Sequence, residues 1–436
     1  MPGLNPILAD RRFRKFVRGV VAVPLLPVLA VASIAARLDT DRRRRRGARP
    51  RLIWGPVPII SIKFWSQALR ALGYQTHTCV FEHYPIHERA DFDVYFDEFM
   101  PSGIAFEPLR AYAVFLWVLR TADVYLSFFD GGFLRGTALW RLELPLLRLA
   151  GKRVIVSPYG SDIAVRGHIG VIEKGVFEDY PELAQRSEQT RTRILEFSHP
   201  SNFVIRNYQP GFLPRWDVFW PTEIGIDTGV WSPSDSFSTA DGSDGEVVVV
   251  HASNHRHSKA TDRLIEVIEQ LKREGLRVRL DLLERRSNTE VRSAVDQGDI
   301  VADQFIAGYA LFGIEGMAMA KLVVSALGWM PPDLRENYSA RELPIVDSDR
   351  DGLLETLRSL IEDPERRRRL GEAGRRYALA HHSYAAVGAT WEAIISHVWL
   401  GAPLPGEMFP AQPDDGGDSA RVRADPDQSH AFSHAP

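Results

Sequence analysis

Short apolar runs alternate with helix-periodic segments over most of the chain, between residues 51 and 400. In the first half, a strand-like run at 52–55 precedes a proline-containing turn and a helical pattern through Phe64, Ala68 and Leu72. Further strands are expected at 78–81, 124–128, 154–157 and 203–206. This alternation is typical of a mostly parallel sheet that is covered by helices on both faces.

The second half repeats this pattern after a change of composition. Residues 221–245 are rich in Gly, Ser, Asp and Pro and lack periodicity, so we expect a linker there. The run EVVVVHA at 246–252 has no polar alternation and predicts a central strand. A helix over 260–275 follows, with its apolar residues on one face and Gly275 at its end. Strands and helices then alternate as far as residue 327.

The pattern divides the chain into successive segments. We predict a first α/β domain over 51–220, the linker at 221–245, a second α/β domain over 246–370 and C-terminal helices over 371–400. A disordered tail is expected over 401–436, because that stretch is dense in Pro, Gly and Asp. The remaining segment, 1–50, has a composition of its own.

Positive charge is concentrated near the N-terminus, although the whole chain has a net charge of -3. Basic residues occur on both sides of an apolar stretch, 19–36, that contains Pro24 and Pro27. This stretch could span a bilayer, be cleaved as a signal peptide or lie flat at a membrane surface. We favour the third fate, since spanning would carry one basic group across the membrane. A basic leader that contacts nothing is the remaining alternative.

Several other functional classes are disfavoured. Cys79 is the single cysteine, which excludes an intrachain disulfide and a multi-cysteine zinc site. His77, His83 and His87 lie near it, but Pro85 breaks the helix that a zinc-binding histidine pair needs. P-loop, nucleophile-elbow and dinucleotide-binding motifs are absent from the sequence. The arginine tracts lack interleaved aromatic residues, so a nucleic-acid binder is the weaker alternative to a membrane-binding protein. We therefore expect no metal and no nucleic-acid partner.

The run DIVADQFIAGYALFGIEGMAMAKLVV at 299–324 is the most informative part of the sequence. Gly308 and Gly313 would let backbone N–H groups approach a ligand, and a helix that begins near Leu311 would direct its positive end at a pyrophosphate. Glu315 lies one turn into that helix. The run resembles the donor-binding segment of retaining family 4 glycosyltransferases (glycosyl transferases group 1), in which the corresponding glutamate binds the ribose hydroxyls.

One position in this run departs from the family pattern. The family has another glutamate eight residues earlier, which touches the transferred sugar, and this chain has Ala307 there. Asp303 or Gln304 could supply the missing contact, a hypothesis that rests on their proximity in the sequence.

A second run, VVVVHASNHRHSKATDRLIEVI at 247–268, resembles the strand and phosphate-binding loop of the same family. Lys259 matches the family's phosphate-binding lysine. Asn254 stands where the family usually has an arginine, and Arg256 could carry that charge instead. Two cations and a helix start would neutralise the leaving diphosphate, which is the largest electrostatic task in glycosyl transfer. Ordinary loop charges are the alternative for both cations.

Signals in the first half are fewer. Asp130 and Asp162 each follow a predicted strand, at the carboxyl edge where ligands of such sheets bind. The run around Asp162 resembles the family's His-Gly-x-Asp segment, with Tyr159 in place of the histidine. We therefore expect Asp130, Tyr159 and Asp162 on the acceptor side of the site. Helix capping is an equally good alternative for both aspartates.

The resemblance covers residues 51–398 and implies the GT-B architecture, in which two Rossmann-like domains face a central cleft. It implies that the second domain binds the donor, that the first presents the acceptor and that the last helix packs back on the first domain. It further implies a retaining hexosyltransferase that uses a UDP- or GDP-linked sugar and needs no metal or other cofactor. The acceptor would be a saccharide or a lipid-linked molecule of polysaccharide or glycolipid biosynthesis.

With segment 1–51 on an anionic membrane, we expect a peripheral protein at the cytoplasmic face. A nucleotide-sugar epimerase of the same fold and a non-catalytic relative that binds nucleotide sugars are the two alternative functions.

Overall fold

The computed structural model describes residues 11–84, 87–100, 107–234, 237–306, 308–328, 341–405 and 409–410. Within these residues, two sheets with helices between their strands form two α/β domains. In chain order the strands are β1 Leu52–Trp54, β2 Thr76–Val80, β3 Val94–Tyr95, β4 Val124–Ser127, β5 Arg153–Val156, β6 Phe203–Arg206, β7 Val218–Phe219, β8 Val247–Ala252, β9 Val278–Leu283, β10 Ile300–Ala302, β11 Leu322–Ser325, β12 Val346–Asp347 and β13 Phe409–Pro410.

The helices connect these strands and cover the sheets. They are α1 Arg11–Arg45, α2 Ser61–Ala71, α3 Glu107–Thr121, α4 Glu143–Leu149, α5 Glu173–Asp179, α6 Pro181–Gln185, α7 Ser187–Phe197, α8 Arg256–Lys259, α9 Thr261–Arg273, α10 Asn288–Gln297, α11 Leu311–Ala318, α12 Leu353–Ile361, α13 Pro364–His381 and α14 Tyr384–Leu400. Five single turns of 3-10 helix lie at Arg89–Asp91, Phe96–Glu98, Trp140–Leu142, Ser161–Ile163 and Gly170–Ile172.

Both sheets are essentially parallel. Within the described residues, the first has the spatial order β13-β7-β6-β5-β4-β1-β2-β3 and the second has the order β12-β11-β10-β8-β9. Strand β8 is buried almost throughout and lies inside the second sheet, as its unbroken apolar run predicts. The only antiparallel pair among these strands joins β13 to β7 at the edge of the first sheet.

The last helix returns to the first domain. Helix α14 begins after Ser383, whose side chain accepts a hydrogen bond from the Ala386 N–H, and it packs on α2. Its Trp391 ring centroid lies 4.9 Å from that of Trp54 and 5.2 Å from that of Trp65. Three large rings thus join the end of the chain to the core of the first domain.

The N-terminal segment forms one long helix that contains Pro24 and Pro27. Helix α1 packs on α3 and α4, and Leu29 and Ser33 are fully buried against the first domain. The sequence predicts a segment set apart from the domain, because its composition is basic and apolar. The structure instead makes it a part of the first domain's surface layer, since one of its faces finds apolar neighbours there.

The predicted disordered tail, 401–436, falls mostly outside the described residues. Within it, Phe409–Pro410 pair with Val218–Phe219, which differs from the prediction of disorder. The outer edge of β7 has unpaired backbone N–H and C=O groups, and a passing chain can pair with such groups whatever its composition.

Candidate functional site

The loops that follow the carboxyl ends of both sheets meet between the domains. Helix α5 follows β5 in the first domain, helix α8 follows β8 in the second, and the two helices are in contact. Ligands of open parallel sheets bind at such carboxyl edges. The region around α8 is therefore the first place to look for a binding site.

Lys259 lies at the end of α8, directly before Ala260, which has a left-handed backbone with φ of 55°. Its Nζ donates to the carbonyl oxygen of Ala252, 3.0 Å away, and to Oδ1 of Asp303, 3.2 Å away. The same ammonium lies 5.6 Å from the centroid of the Phe312 ring. Lys259 is thereby held at the carboxyl end of β8, with its charge directed toward the loop that follows β10.

Asp303 is fully buried and positions Lys259. Its Oδ1 accepts from Lys259, and its Oδ2 accepts from the Ala310 N–H at 2.7 Å, just before α11 begins. As a counter-ion it fixes the lysine and the start of α11. The hypothesis that Asp303 or Gln304 supplies the family's missing sugar contact stays a prediction.

Gly313 lies against the Asp303 carboxylate, and its predicted contact with a ligand stays a prediction. A Cβ at this position would lie 2.8 Å from Oδ2 of Asp303. The close approach therefore serves the Asp303 carboxylate. The N–H groups in the first turn of α11, which begins at Leu311 as predicted, have no intrahelical acceptor and leave this helix end positive.

Glu315 is the unusual residue of this region. Its side chain is nearly buried, at 6% exposure, yet no hydrogen bond to its carboxyl oxygens is found among the described residues. Burial raises the pKa of Glu315 to about 8, an effect that Lys259 opposes and Asp303 reinforces. A buried carboxyl group without a protein partner costs free energy, which is characteristic of a group that meets a ligand.

The other predicted donor residues are arranged around this cluster. Gly308 has φ of 61°, its N–H donates to the Ala326 carbonyl at 2.7 Å, and its own carbonyl accepts from the Ser325 hydroxyl. The backbone carbonyl of Gln304 accepts from the Ala326 N–H at 2.9 Å. Ala307, the position that departs from the family pattern, lies outside the described residues. Gly308 and Gln304 thus form the turn that joins β10 to α11.

Asn254 and Arg256 lie at the exposed margin of the same loop. The Oδ1 of Asn254 accepts from the Arg285 N–H at 3.0 Å. The Arg256 guanidinium pairs with Glu284 at 2.8 Å and with Asp262 at 2.5 Å. Since two carboxylates neutralise Arg256, the structure does not group it with Lys259 and Glu315, and its role in phosphate binding stays a prediction.

A contact between the domains closes over α8 from the first domain. The carboxylate of Asp179, at the end of α5, accepts from the Ser258 N–H at 2.9 Å, the Ser258 hydroxyl at 2.6 Å and the ring of His257 at 2.8 Å. Beside it, the Tyr180 hydroxyl lies 2.8 Å from a ring nitrogen of His255. These partners are 75 to 79 residues apart in the chain, and no local sequence pattern predicts their contacts.

The predicted acceptor residues come together at the carboxyl ends of β4 and β5. Asp130 accepts from the Tyr159 hydroxyl and from Nη1 of Arg193, 3.2 Å away, and Arg135 lies 3.7 Å from the same carboxylate. Burial raises the pKa of Tyr159 well above its usual value, so the phenol stays protonated and donates to Asp130. Arg193, which no sequence motif singles out, completes this polar cluster.

Asp162 is buried beside this cluster, and its carboxylate binds backbone N–H groups. Its oxygens accept from the N–H groups of Phe129, Tyr159 and Gly160 at 2.9 to 3.1 Å. Burial raises the pKa of Asp162 to about 7, and Asp130 adds to the effect. Asp162 is not a helix cap, because it lies inside the turn Ser161–Ile163, but its hydrogen bonds all go to the protein's own backbone and hold two loops together. Its contact with an acceptor stays a prediction.

Replacing Asp162 by alanine should destabilise the first domain. Three buried N–H groups would lose their acceptor, at a cost of about 2 to 4 kcal/mol in the free energy of unfolding. Urea denaturation followed by circular dichroism measures this loss. Asp162→Asn keeps one carbonyl acceptor and should lose less, and an Asp162→Ala protein as stable as the wild type would contradict this structural role.

Two further buried carboxyl groups were missed from the sequence. Glu143 accepts from the N–H groups of Phe133 and Leu134 at 2.8 and 2.7 Å, and burial raises the pKa of Glu143 to about 7. Glu223 accepts from the Ser157 hydroxyl at 2.7 Å and from Asn207, and burial raises its pKa to about 8. Glu143 fixes the loop after β4, and Glu223 joins the linker to the first sheet.

These raised pKa values predict that stability falls in mildly alkaline solution. Glu143, Asp162, Glu223 and Glu315 have pKa values of about 7 to 8 when folded, against 3.8 to 4.5 when exposed. Between these limits the folded state holds more protons than the unfolded state, so the free energy of unfolding decreases as the pH rises. The melting temperature should therefore drop between about pH 6.5 and about pH 8, as the last of these groups ionise in the folded state, and should change little above that range.

A single substitution tests this origin. Glu223→Gln keeps the side chain neutral and of equal size, so its melting temperature should drop less over the same pH range than that of the wild type. His251 and His382, whose pKa values burial lowers to about 4, have the opposite effect but act mainly below about pH 6.5. An equal drop in variant and wild type would show that Glu223 is ionised throughout.

Comparisons with known proteins agree with this architecture. The model of a family described as glycosyl transferase-like matches residues 313–393, whereas no curated protein matches the chain. Sucrose-phosphate synthase from Thermosynechococcus elongatus superposes with a TM-score of 0.51 at 14% identity, over 81% of this chain and 100% of that one. Anabaena HepE in complex with UDP and glucose superposes with a TM-score of 0.50 at 14% identity, over 79% and 98%.

The chain has the GT-B fold. This confirms the predicted architecture of two Rossmann-like domains and the resemblance to group 1 glycosyltransferases. The family match begins at Gly313, inside the first turn of α11, and includes Glu315. Together the fold and the family match support a glycosyltransferase. Among the described residues, no group of three His, Cys, Asp or Glu side chains could hold a metal ion.

Proposed function

We propose that this GT-B protein is a retaining glycosyltransferase that binds a nucleotide sugar between Lys259 and Glu315. The observation that carries the proposal is the buried, unpartnered carboxyl group of Glu315 beside the fixed ammonium of Lys259. A ribose can donate hydrogen bonds from two hydroxyl groups to the Glu315 carboxyl group, and a diphosphate can pair its negative charge with the Lys259 ammonium. One nucleoside diphosphate can therefore satisfy both.

The donor is a UDP- or GDP-linked sugar in this proposal. Anabaena HepE, which has the same fold, was solved with UDP and glucose, and a further structure of it contains UDP-glucose. This favours a uridine nucleotide. The first-turn N–H groups of α11 would face the diphosphate together with Lys259, in the manner of anion sites at helix starts.

Lys259 stabilises the leaving group in the reaction that we propose. As the glycosidic bond breaks, negative charge grows on the diphosphate, and a fixed ammonium in a partly dry site stabilises this charge without rearranging. Asp303 holds the ammonium in place. The acceptor oxygen bonds to the anomeric carbon on the face from which the diphosphate departs, and the acceptor's proton passes to that diphosphate, which gives retention. A metal ion has no task in this scheme, because the lysine and the helix end carry the positive charge.

The first domain presents the acceptor in this scheme. Asp130 and Tyr159 lie at the carboxyl ends of their strands, and Arg193 and Arg135 surround them. Such a cluster of donors and acceptors suits the hydroxyl groups of a saccharide. Asp162 and Glu143 fix the loops that carry this cluster, because their carboxyl groups accept hydrogen bonds from backbone N–H groups.

Product analysis tests the proposal. The purified chain is incubated with UDP-glucose, UDP-N-acetylglucosamine, UDP-galactose and GDP-mannose, with and without a lipid extract. Release of nucleoside diphosphate together with a glycosylated product supports glycosyl transfer. An isomerised nucleotide sugar would indicate the epimerase, and binding without turnover of any donor would indicate the non-catalytic relative. Either of those results contradicts the proposal.

A further inference from the structure

Helix α1 has an outward face of large aliphatic side chains. Val23 and Leu38 are 75% and 68% exposed, and five more residues of this helix are large, apolar and exposed: Val20, Leu26, Val28, Val31 and Ile34. Single exposed aliphatic residues are ordinary on protein surfaces, whereas a row of them on one element marks an interaction surface.

Five of these seven exposed residues form a stripe along the helix axis. At about 100° per residue, the side chains of Val20, Val23, Val31, Ile34 and Leu38 fall within an arc of about 80°. The buried residues of the same helix lie on the opposite side: Ala22, Leu29, Ser33 and Thr40. Helix α1 therefore has two apolar faces, one against the protein and one without a partner among the described residues.

The helix is fixed to the body of the protein. Near its C-terminal end, the Thr40 hydroxyl accepts from Lys152 at 2.8 Å, Arg43 pairs with the buried Asp123 at 3.0 Å, and Arg44 donates to the Gly151 carbonyl at 3.0 Å. These contacts hold the stripe in one orientation relative to the first domain.

These contacts also distinguish between the fates of this segment. Residues Ala22–Arg45 are long and apolar enough to cross a membrane, and an 18-residue window within them has a mean hydropathy of 1.6. However, the face that contains Leu29 and Ser33 is buried against the first domain. A helix that packs along this domain can place only its other face in lipid, so it lies in the plane of the interface.

Charge identifies the surface that the stripe fits. Arg42, Arg45 and Arg46 are exposed at the C-terminal end, and the sequence places further basic residues before the stripe: Arg11, Arg12, Arg14, Lys15 and Arg18. Aliphatic side chains between two basic groups match acyl chains between anionic headgroups. A second copy of the helix would fit poorly, because either orientation brings basic ends together.

We propose that α1 docks on an anionic lipid bilayer through this stripe, with its arginines on the headgroups. Docking fixes the first domain, and hence the cleft, against the membrane. If the proposed glycosyl transfer is correct, its acceptor is a lipid-linked saccharide or glycolipid at the cytoplasmic leaflet, which is the anionic one. The docking itself does not depend on that activity.

Vesicle flotation of the full chain tests docking. Wild type is mixed with vesicles of phosphatidylcholine alone or with about 30 mol% phosphatidylglycerol, at low and high salt. We expect binding to the anionic vesicles, which weakens at high salt because the headgroup attraction is screened. A Val31→Asp, Leu38→Asp variant should bind at least about tenfold more weakly, since two charges would enter the apolar boundary. A matched control is Leu195→Asp, Leu379→Asp, which changes two exposed leucines elsewhere and should bind as wild type does.

Several outcomes would overturn the proposal. The proposal fails if wild type does not bind anionic vesicles. It also fails if the Val31→Asp, Leu38→Asp variant binds them as tightly as wild type does. Dimers that this variant dissociates would assign the stripe to a second copy of the chain. Protein that only detergent releases from native membranes would indicate a span. Donor turnover with a soluble acceptor should be unchanged in the variant, so failure of docking and failure of glycosyl transfer give different results.

Discussion

Replacing Lys259 by alanine should slow glycosyl transfer. The expected loss of transition-state stabilisation is about 2 to 4 kcal/mol. The reason is that Lys259 has its ammonium fixed beside Glu315 by Asp303 and by the Ala252 carbonyl. Charge on the departing diphosphate grows in the transition state, so the loss should appear mainly in kcat. Steady-state assays of nucleoside diphosphate release at saturating donor measure it.

The matched control for Lys259 is Arg263→Ala. Arg263 lies in the same domain on α9, where it pairs with Glu266 at the surface, and its removal should leave turnover unchanged. Lys259→Ala also leaves the buried Asp303 carboxylate without its ion pair, so urea denaturation must show that the variant is folded under assay conditions. Unaltered kcat in a folded Lys259→Ala protein would remove the lysine from the mechanism.

Replacing Glu315 by alanine should instead weaken donor binding. Loss of its hydrogen bonds to the ribose is expected to cost about 1.5 to 3 kcal/mol, which raises the donor Kd about 10- to 150-fold. The ribose is distant from the breaking bond, so the contact is equal in ground and transition states and kcat should change less than KM. Isothermal titration with the nucleoside diphosphate, together with KM values, measures this effect.

Stability separates this role from a structural one. Glu315 is buried and has no hydrogen bond partner among the described residues, so its removal should not lower the melting temperature of the ligand-free protein. Glu266→Ala, at an exposed position of α9, is the control for loss of a carboxyl group in the same domain. A Glu315→Ala protein that binds donor as tightly as wild type, or that unfolds, would show that the carboxyl group has another purpose.

Much of the fold is encoded in short segments and could be predicted from them. The run at 247–250 is apolar at every position because helices cover both faces of its sheet. The start of α11 at Leu311 follows from the glycine-containing turn before it. Signals of this kind depend only on neighbours in the chain, so strands and helices of the second domain were the most predictable part.

The contacts within the candidate site were less predictable, because they join distant residues. Lys259 and Asp303 are 44 residues apart, and the sequence around Asp303 does not predict its pairing with the lysine. Asp179 lies in a different domain from the Ser258 that it binds. A carboxylate that follows a strand looks the same in a sequence whether it meets a ligand, a lysine or a backbone N–H.

Helix α1 shows a similar limit. Its composition predicts attraction to a membrane but does not reveal which face is available. Only the packing of Leu29 and Ser33 on the first domain shows that Val23, Val31 and Leu38 point away from it. The buried Glu143 and Glu223 could not be predicted from the sequence, because the burial of a carboxyl group depends on a tertiary environment that a local sequence pattern does not encode.

Titration calorimetry with UDP and GDP tests most directly whether Lys259 and Glu315 form a nucleoside diphosphate pocket. Wild type should bind one of the two with a stoichiometry of one, Lys259→Ala and Glu315→Ala should each bind it at least about tenfold more weakly, and Glu266→Ala should bind it as wild type does. If neither nucleotide binds to wild type, or if both site variants bind as tightly as wild type, the diphosphate pocket is not where we place it.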